Sequence, residues 1–407
     1  MNRRTATLSV VLPVSAGLLI AAAWRVGAQS GGPPWQTTLI LGQPLPGLSD
    51  SEKDRFAAGL AAFAKTETRD EGLGVVFNGT SCGECHRAGA VGGAALDVQT
   101  ARVTRIGGVV RNAYSDLPQF GGPVLQARSL REFDSSCPVL PEVVPPQAAF
   151  VSHRITTPLF GAGLIEAIPN SEILAQSNPR DPDGVRGVPN IVYNPETKRS
   201  EVGRFGWKAQ HSSLHLFAGD AYLNEMGITS ANFPDESLPQ GRPIPPGWAA
   251  TAHPEDEDGD VEKFTDFMRL LAPPGRRLPI TPLAQQGARI FEAIRCTACH
   301  APELHTGPNA VAALANQPVR LYSDLLLHRM GTALADGIRQ GRAQGDQFRT
   351  APLWGLSRRA FLLHDGRAGN PADAIALHGG EAAPARSRFL RLGQADRAAL
   401  LTFLSTL

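Results

Sequence analysis

Lysine is scarce in this chain. Only 5 of its 39 basic residues are Lys, and the 39 basic residues are almost cancelled by 38 acidic ones, for a formal net charge of +1. A balance so close to zero excludes a nucleic-acid binder or a polybasic membrane-surface protein. The arginine bias suits fork-like pairing with carboxylates, although genome composition is the plainer explanation. Aromatic residues make up only 6% of 407 residues, while 42 Gly and 33 Pro stand well above the average joint usage of roughly 12%. Together with a hydrophobic content of 42%, this excludes both a disordered chain and a simple helical bundle. It predicts long connections between short elements, and the length predicts two or three domains.

Long hydrophobic runs are also lacking, with one exception. Residues 8–23 are apolar behind the basic Asn2-Arg3-Arg4, and Val26-Gly27-Ala28 precedes Gln29 as a small-x-small cleavage site. Residues 1–28 therefore read as a secretory signal peptide. An uncleaved anchor is the competing reading, but Pro13 and Ser15 interrupt the run. Either way the body is expected to be exported, to the periplasm, with no membrane span after cleavage.

Cysteine is sparse as well, and four of the five residues share one spacing. Cys82-Gly83-Glu84-Cys85-His86 and Cys296-Thr297-Ala298-Cys299-His300 are both C-x-x-C-H. In this pattern two thiols add to porphyrin vinyl groups and the adjacent His becomes the proximal iron ligand. A redox C-x-x-C or half a zinc site would leave the His after both pairs unexplained. Two covalently bound haem c groups are the expectation, held by Cys82, Cys85 and His86 and by Cys296, Cys299 and His300. Phe77 and Phe291 each lie five residues before the first Cys of a motif, and residues 287–292 read as a helix turning Ile290 and Phe291 to the ring. Cys137 reads as a small buried hydrophobe, with a free thiol or a link to a partner as alternatives. No intrachain disulfide framework is left.

The motifs lie far apart, so the expected fold is mainly α, with two cytochrome c-like haem domains, a long loop-rich insertion and a few short β-strands. Residues 29–253 are assigned to the N-terminal haem domain and 254–407 to the C-terminal one. The division falls in a linker at 234–254 that holds six prolines in 21 residues. Helical patterns occupy 47–70, a turn and capped helix 165–175, and further helices 212–226, 260–271 and 394–407, whereas 87–150 reads as loops and short strands. The acidic stretch 256–262 is not an EF-hand, because Gly259 stands fourth where the turn Gly should be sixth.

Beyond about residue 281 the strings lengthen: 322–331 (YSDLLLHRMG), 349–356 (RTAPLWGL), 364–368 (HDGRA) and 374–382 (AIALHGGEA). Earlier come 161–169 (GAGLIEAIP), 203–209 (GRFGWKA) and 224–230 (NEMGITS). These strings resemble the di-haem oxidoreductase family of peroxidases. More distantly the layout is similar to bacterial di-haem cytochrome c peroxidases and to the enzyme that matures tryptophan tryptophylquinone. The resemblance implies a C-terminal haem that stores electrons and an N-terminal haem that meets the oxidant. Candidate sixth ligands of the C-terminal haem are His328, Met330, His364 and His378. The resemblance favours His378, with Met330 next and His364 as a supporting hydrogen bonder.

On the N-terminal side, residues 87–110 contain no His or Met and the next His is His153, which favours an open distal face. The resemblance places Trp207 between the haems as an electron relay and makes Glu225, within Glu225-Met226-Gly227, the distal acid and base. On pattern alone Trp207 could equally be core and Glu225 a surface acid. A Gln of the distant enzymes falls at Phe217 or a neighbour, so that contact is lost or replaced. Their calcium-holding Thr is unmatched near Arg358-Arg359-Ala360, so calcium is not carried over. His211 and His215 form an i, i+4 pair that reads as a solvated face or as an axial ligand to the N-terminal haem.

The implied partners are a small redox donor (cytochrome c, cupredoxin or quinol-linked) and peroxide or O2. Non-enzymatic electron transfer and an O2-using oxygenase stand as alternatives. A thiol-oxidoreductase activity has no support, because Cys137 is alone.

Overall fold

Ser49 starts the first helix, α1 (Asp50–Ala64), through a capping box: its Oγ accepts from Glu52 N at 3.3 Å, and Glu52 Oε2 accepts from Ser49 N at 2.7 Å. The computed structural model describes residues 40–98, 102–249, 254–277 and 279–407, within one compact unit spanning Pro33–Leu407. The signal peptide expected at 1–28 lies outside the described residues. Nine further helices follow among them: α2 (Cys82–Cys85), α3 (Ala162–Glu166), α4 (Asn170–Leu174), α5 (Leu214–Met226), α6 (Asp260–Leu270), α7 (Pro282–Ala293), α8 (Pro371–Leu377), α9 (Ala383–Leu390) and α10 (Gln394–Leu404).

Two helix pairs anchor the two motifs in the same way. α1 packs along α6, with Phe63 against Phe267 at 4.9 Å between ring centroids. α7 packs along α10, with Phe291 against Phe403 at 5.4 Å. Each crossing closes over a glycine. A Cβ on Gly59 would lie 2.3 Å from Lys263 O, and one on Gly287 would lie 2.0 Å from Ala399 O. The backbones can meet only because both positions lack a side chain. Around these pairs the core forms a large cluster containing Phe63, Phe77, Leu164 and Phe264, and a smaller one containing Phe291, Phe389 and Phe403.

Helix, short 3₁₀ turns included, occupies 32% and strand 15% of the described residues, so helix dominates by only about two to one. The strands are short, with one exception in the stretch read as loops. They are β1 (Val76–Phe77), β2 (Arg102–Val110), β3 (Ala113–Ser115), β4 (Val124–Leu125), β5 (Arg128–Ser129) and β6 (Phe150–Ile155), then β7 (Ile191–Asn194), β8 (Arg199–Val202), β9 (Leu304–His305), β10 (Pro318–Val319), β11 (Leu327–Arg329) and β12 (Gln347–Arg349). The nine-residue β2 pairs antiparallel with β3, β4 and β6, and Arg102↔Ile155 to Gly107↔Phe150 is the longest register. Residues 102–110 alternate poorly and hold two glycines, which hid the strand from a period-2 reading. The remaining pairs, β1–β5, β7–β8, β9–β10 and β11–β12, are antiparallel and two-stranded.

The turn and helix expected over 165–175 are present: α4 begins at Asn170 after Pro169, and the unexpected feature is the short α3 that ends at Glu166. Cys137 is fully buried in the larger cluster, as a small hydrophobe would be. Among the described residues, no helix is long and apolar enough to cross a membrane.

Candidate active site

The N-terminal motif begins at α2, where Ser81 Oγ accepts from Glu84 N at 3.1 Å and caps a single turn. The turn points Cys82, Cys85 and His86 into one cavity. His86 Nδ1 lies 3.2 Å from Gly93 O, an orientation that fixes the ring and reserves Nε2 for ligation. Burial pushes its pKa down to about 4, only partly offset by the Gly93 and Thr157 carbonyls, so the imidazole is neutral, as a metal ligand must be. Burial likewise pushes the Cys85 thiol up to about 12.

Another part of the lining is α5, capped by Ser213 and stopped by Gly227 in the left-handed region (φ 71°). It turns Phe217, Asp220, Ala221, Asn224 and Glu225 to the cavity at helical spacing. Glu225 Oε2 accepts from Asn78 Nδ2 at 3.0 Å, and Glu225 O accepts from Asn78 N at 2.7 Å. Burial pushes the Glu225 carboxyl up to about 7 and Asp220 adds to the rise, while Arg105 and Asn78 oppose it. Behind this wall Gly74 and Gly227 meet backbone to backbone, with Gly74 N donating to Met226 O at 2.9 Å.

The C-terminal motif follows α7 and lines a second cavity through Cys296, Cys299 and His300. His378, Met330, His328 and His364 line the same cavity. His300 Nδ1 lies 3.0 Å from Tyr322 O, and His378 Nδ1 lies 2.7 Å from Ala374 O at the end of α8. Both rings are thereby set with Nε2 available. Burial pushes His300 down to about 4 and lowers His378 as well, and His378 itself contributes to the fall at His300.

His328 is different. Burial alone would lower its pKa, but Asp324 at 2.7 Å from Nε2 and Glu381 at 2.9 Å from Nδ1 reverse the balance and hold it charged. With both nitrogens engaged it has no lone pair to offer a metal. His364 stacks on Phe348 at 4.2 Å and is lowered to about 4, by burial first.

Trp207 joins the two cavities, because it lines both, together with Ile155 and Thr156 of β6 and the loop after it. Its Nε1 donates to Ile155 O at 2.8 Å, and its carbonyl accepts from Arg349 N at 2.9 Å.

Both cavities fit haem on grounds beyond the cysteines. Haem carries two propionates, and each cavity wall holds a guanidinium, Arg105 and Arg386 respectively, whose buried Nε has no hydrogen-bond partner. The second cavity adds Arg349 and Arg359, whose bonds run to backbone carbonyls: Gly206 and Thr350 for Arg349, Pro352 and Trp354 for Arg359. Buried guanidinium groups of this kind call for an anion.

Several sequence expectations change here. Phe291 lines the second cavity but Ile290 does not, because neighbouring helical positions point about 100° apart. His211 lies ahead of α5 and pairs with Asp220 at 3.0 Å, while His215 bonds Glu196, so they form no i, i+4 pair. Neither lines a cavity, which removes the axial-ligand reading. His153 pairs with Thr104 across β2 and β6 at 3.1 Å, also off the cavity.

Two residues carry no signal in the sequence. Gln210, three positions after Trp207, brings an amide to the first cavity, and Met268 brings a thioether, as does Met226 of the Glu225-Met226-Gly227 string. Met268 was hidden because α6 had been assigned to the C-terminal half.

Paired cavities, each with a C-x-x-C-H turn on one wall and a shared tryptophan between them, describe a protein built for two redox groups. The chain belongs to the family described as "Di-haem oxidoreductase, putative peroxidase", which matches residues 144–407. The second motif lies inside that span and the first lies before it. No curated protein matches the chain. Among solved structures it is similar to hydrazine synthase from Kuenenia stuttgartiensis, at 14% identity over 99% of this chain and 100% of that one (TM-score 0.41). It is also similar to the diheme peroxidase BthA from Burkholderia thailandensis, at 14% identity over 90% and 87% (TM-score 0.41). A MauG-like protein associated with microbial copper homeostasis has 16% identity over 95% of each chain (TM-score 0.37).

Proposed function

We propose that the chain is a periplasmic di-haem c-type oxidoreductase of peroxidase type, in which the 254–407 side receives electrons and the 29–253 side reduces peroxide. The observation that carries this reading is Glu225, a carboxyl pushed up to about 7 that lines the same cavity as Cys82, Cys85 and His86. Haem bound through the two C-x-x-C-H turns supplies the iron redox chemistry that peroxide reduction needs.

The chain's own residues supply the rest. Burial keeps His86, His300 and His378 neutral and backbone carbonyls orient them, with His300 and His378 as the ligand pair of the C-terminal site and Met330 as the alternative. Glu225 takes the proton from one peroxide oxygen and returns it to the other, which leaves as water; two electrons and two further protons complete two waters. Asn78 holds the Glu225 carboxylate, and the Gln210 amide is placed to orient the peroxide in the same cavity. Trp207 offers a π-system between the sites. A small cytochrome c, a cupredoxin or a quinol-linked carrier is the proposed donor.

The test is to mix reduced protein with peroxide in a stopped-flow instrument. Reoxidation within seconds is expected, and Glu225→Gln should slow it by about 10²–10⁴-fold. An unslowed variant removes Glu225 from the mechanism. Non-enzymatic electron transfer is the second reading, favoured by the Met226 and Met268 thioethers on the first cavity. CO binding to one of the two reduced haems would exclude it.

A further inference from the structure

Lys208 is the one lysine buried without any exposure, and it sits directly after the tryptophan that joins the cavities. Its Nζ donates to Gln344 O at 2.9 Å and Gln347 O at 2.8 Å, lies 3.3 Å from Asp336 Oδ1, and stands 3.9 Å above the centroid of the Phe348 ring. The other face of the arrangement leads to the redox sites. Phe348 stacks on His364 at 4.2 Å, and His364 meets Trp207 edge-on at 6.5 Å. Phe348, His364 and Trp207 all line the second cavity.

Asp336 does not neutralise Lys208 alone. It also accepts from Arg154 Nη2 at 2.7 Å and Nε at 3.0 Å, and from Ser152 Oγ at 2.9 Å. The side chains of Arg154, Asp336 and Lys208 are exposed by only 5%, 3% and 0%. Two cations therefore share one carboxylate, and a unit of positive charge is left buried beside the bridge. Structural stitching alone does not require this, because Arg154 and Asp336 already form a balanced pair. A buried unpaired charge acts over a long range in a low-dielectric interior.

We propose that Lys208 is a positioning residue for electron transfer: through Phe348 and His364 it raises the reduction potential at the C-terminal site and disfavours a hole resting on Trp207. The mechanism is electrostatic. An oxidised centre carries one more positive charge than its reduced form, so a nearby fixed cation favours the reduced one. The inference rests on the proposed haem occupancy of the second cavity.

The test is a spectroelectrochemical titration of the purified holoprotein with a haem count per chain. Lys208→Met removes the charge and keeps an apolar stem over Phe348, and Asp336→Asn removes the counter-charge. The first should shift the C-terminal reduction equilibrium about tenfold toward the oxidised form, which is 59 mV for a one-electron couple, and the second should shift it the opposite way. Lys208→Arg should stay near wild type. Two haems with potentials unmoved, or moved in the same direction by both variants, would overturn the inference alone. Fewer than two haems on the wild-type chain would overturn it together with the occupancy. If Lys208→Met does not accumulate as a two-haem protein, the upward shift of Asp336→Asn relative to Lys208→Arg carries the test, and its absence is decisive against the proposal.

Discussion

At Cys82–His86 and again at Cys296–His300 the chain builds the same near wall. In both places a single turn with two thiols follows a helix that crosses its partner at a glycine, and a carbonyl holds Nδ1 of the motif histidine. The walls contributed from far along the chain then diverge. The first cavity has α5, with a carboxyl near neutrality, a second carboxylate at Asp220 and the Asn224 amide, and the Gln210 amide just ahead of that helix. The second has a further neutral histidine, anchored by Ala374 O, and arginines bonded to backbone carbonyls. The motif selects the cofactor, and the far wall selects what can be done with it. A wall that can move protons suits peroxide, while a wall that offers a second nitrogen suits a closed electron store.

The comparison breaks most readily at Glu225. Glu225→Gln removes from the first far wall the carboxyl that sits near neutrality, and the loss in peroxide-driven reoxidation should be about 10²–10⁴-fold. Next in size is Trp207→Phe, which keeps a ring between the cavities but removes the Nε1 bond to Ile155 O. Electron passage between the sites, followed by flash photolysis, should slow by about tenfold, the equivalent of roughly 1.4 kcal/mol on the barrier.

The pH profile sharpens the contrast. Glu225 must be ionised to accept a proton, and its pKa is raised from 4.5 to about 7. The rate should therefore climb as pH rises through about 7, and the inflection should vanish in Glu225→Gln. The same shift has a stability counterpart. A carboxyl raised on folding favours the fold while both states are protonated and loses that contribution as pH rises from the unfolded value to the folded one, so the wild type should lose melting temperature relative to Glu225→Gln between pH 4.5 and about 7 and run parallel to it above. A pair of curves parallel across that window as well would show that the carboxyl is not buried in the folded protein.

The second far wall has its own test. His378→Met should raise the potential of the C-terminal haem, because thioether ligation does so, whereas Met330→Leu should leave its spectrum unchanged. The reverse pattern would exchange the two ligands. The smallest expected effect is on the shared near wall. Gly59→Ala should destabilise the fold by about 1–3 kcal/mol through overpacking against α6, read by denaturant unfolding, while the pH inflection stays in place.

Much of this was legible in the sequence because some chemistry is written locally. C-x-x-C-H fixes thiols and ligand within one turn, and the caps at Ser49 and Ser213 mark where helices begin. Glu225 and Trp207 could be singled out by their strings, although nothing local shows that they share a cavity. What stayed hidden depends on chain segments meeting from afar. The β2–β6 register joins residues about fifty positions apart, and it is this sheet that brings Arg105 and Arg154 to the first cavity. Met268 reaches the same cavity because α6 packs on α1 across the proline-rich stretch, a pairing that composition does not reveal. The His211–His215 spacing misled for the opposite reason: Ser213 starts the helix between them, so one residue is helical and the other is not.

The contact of Gly74 with Gly227 has a consequence for how this protein can diversify. A Cβ on Gly227 would lie 2.8 Å from both Gly74 Cα and Val76 O, and one on Gly74 would lie 2.7 Å from Gly227 Cα. The corner that carries Glu225 is therefore immobile from behind, and the first cavity cannot be reshaped by sliding that corner outward. New substrate sizes must come from side chains on the inner face, with Phe217 the natural place to trim. A randomised library should tolerate substitutions at Phe217 and return almost only the parent residue at Gly74 and Gly227.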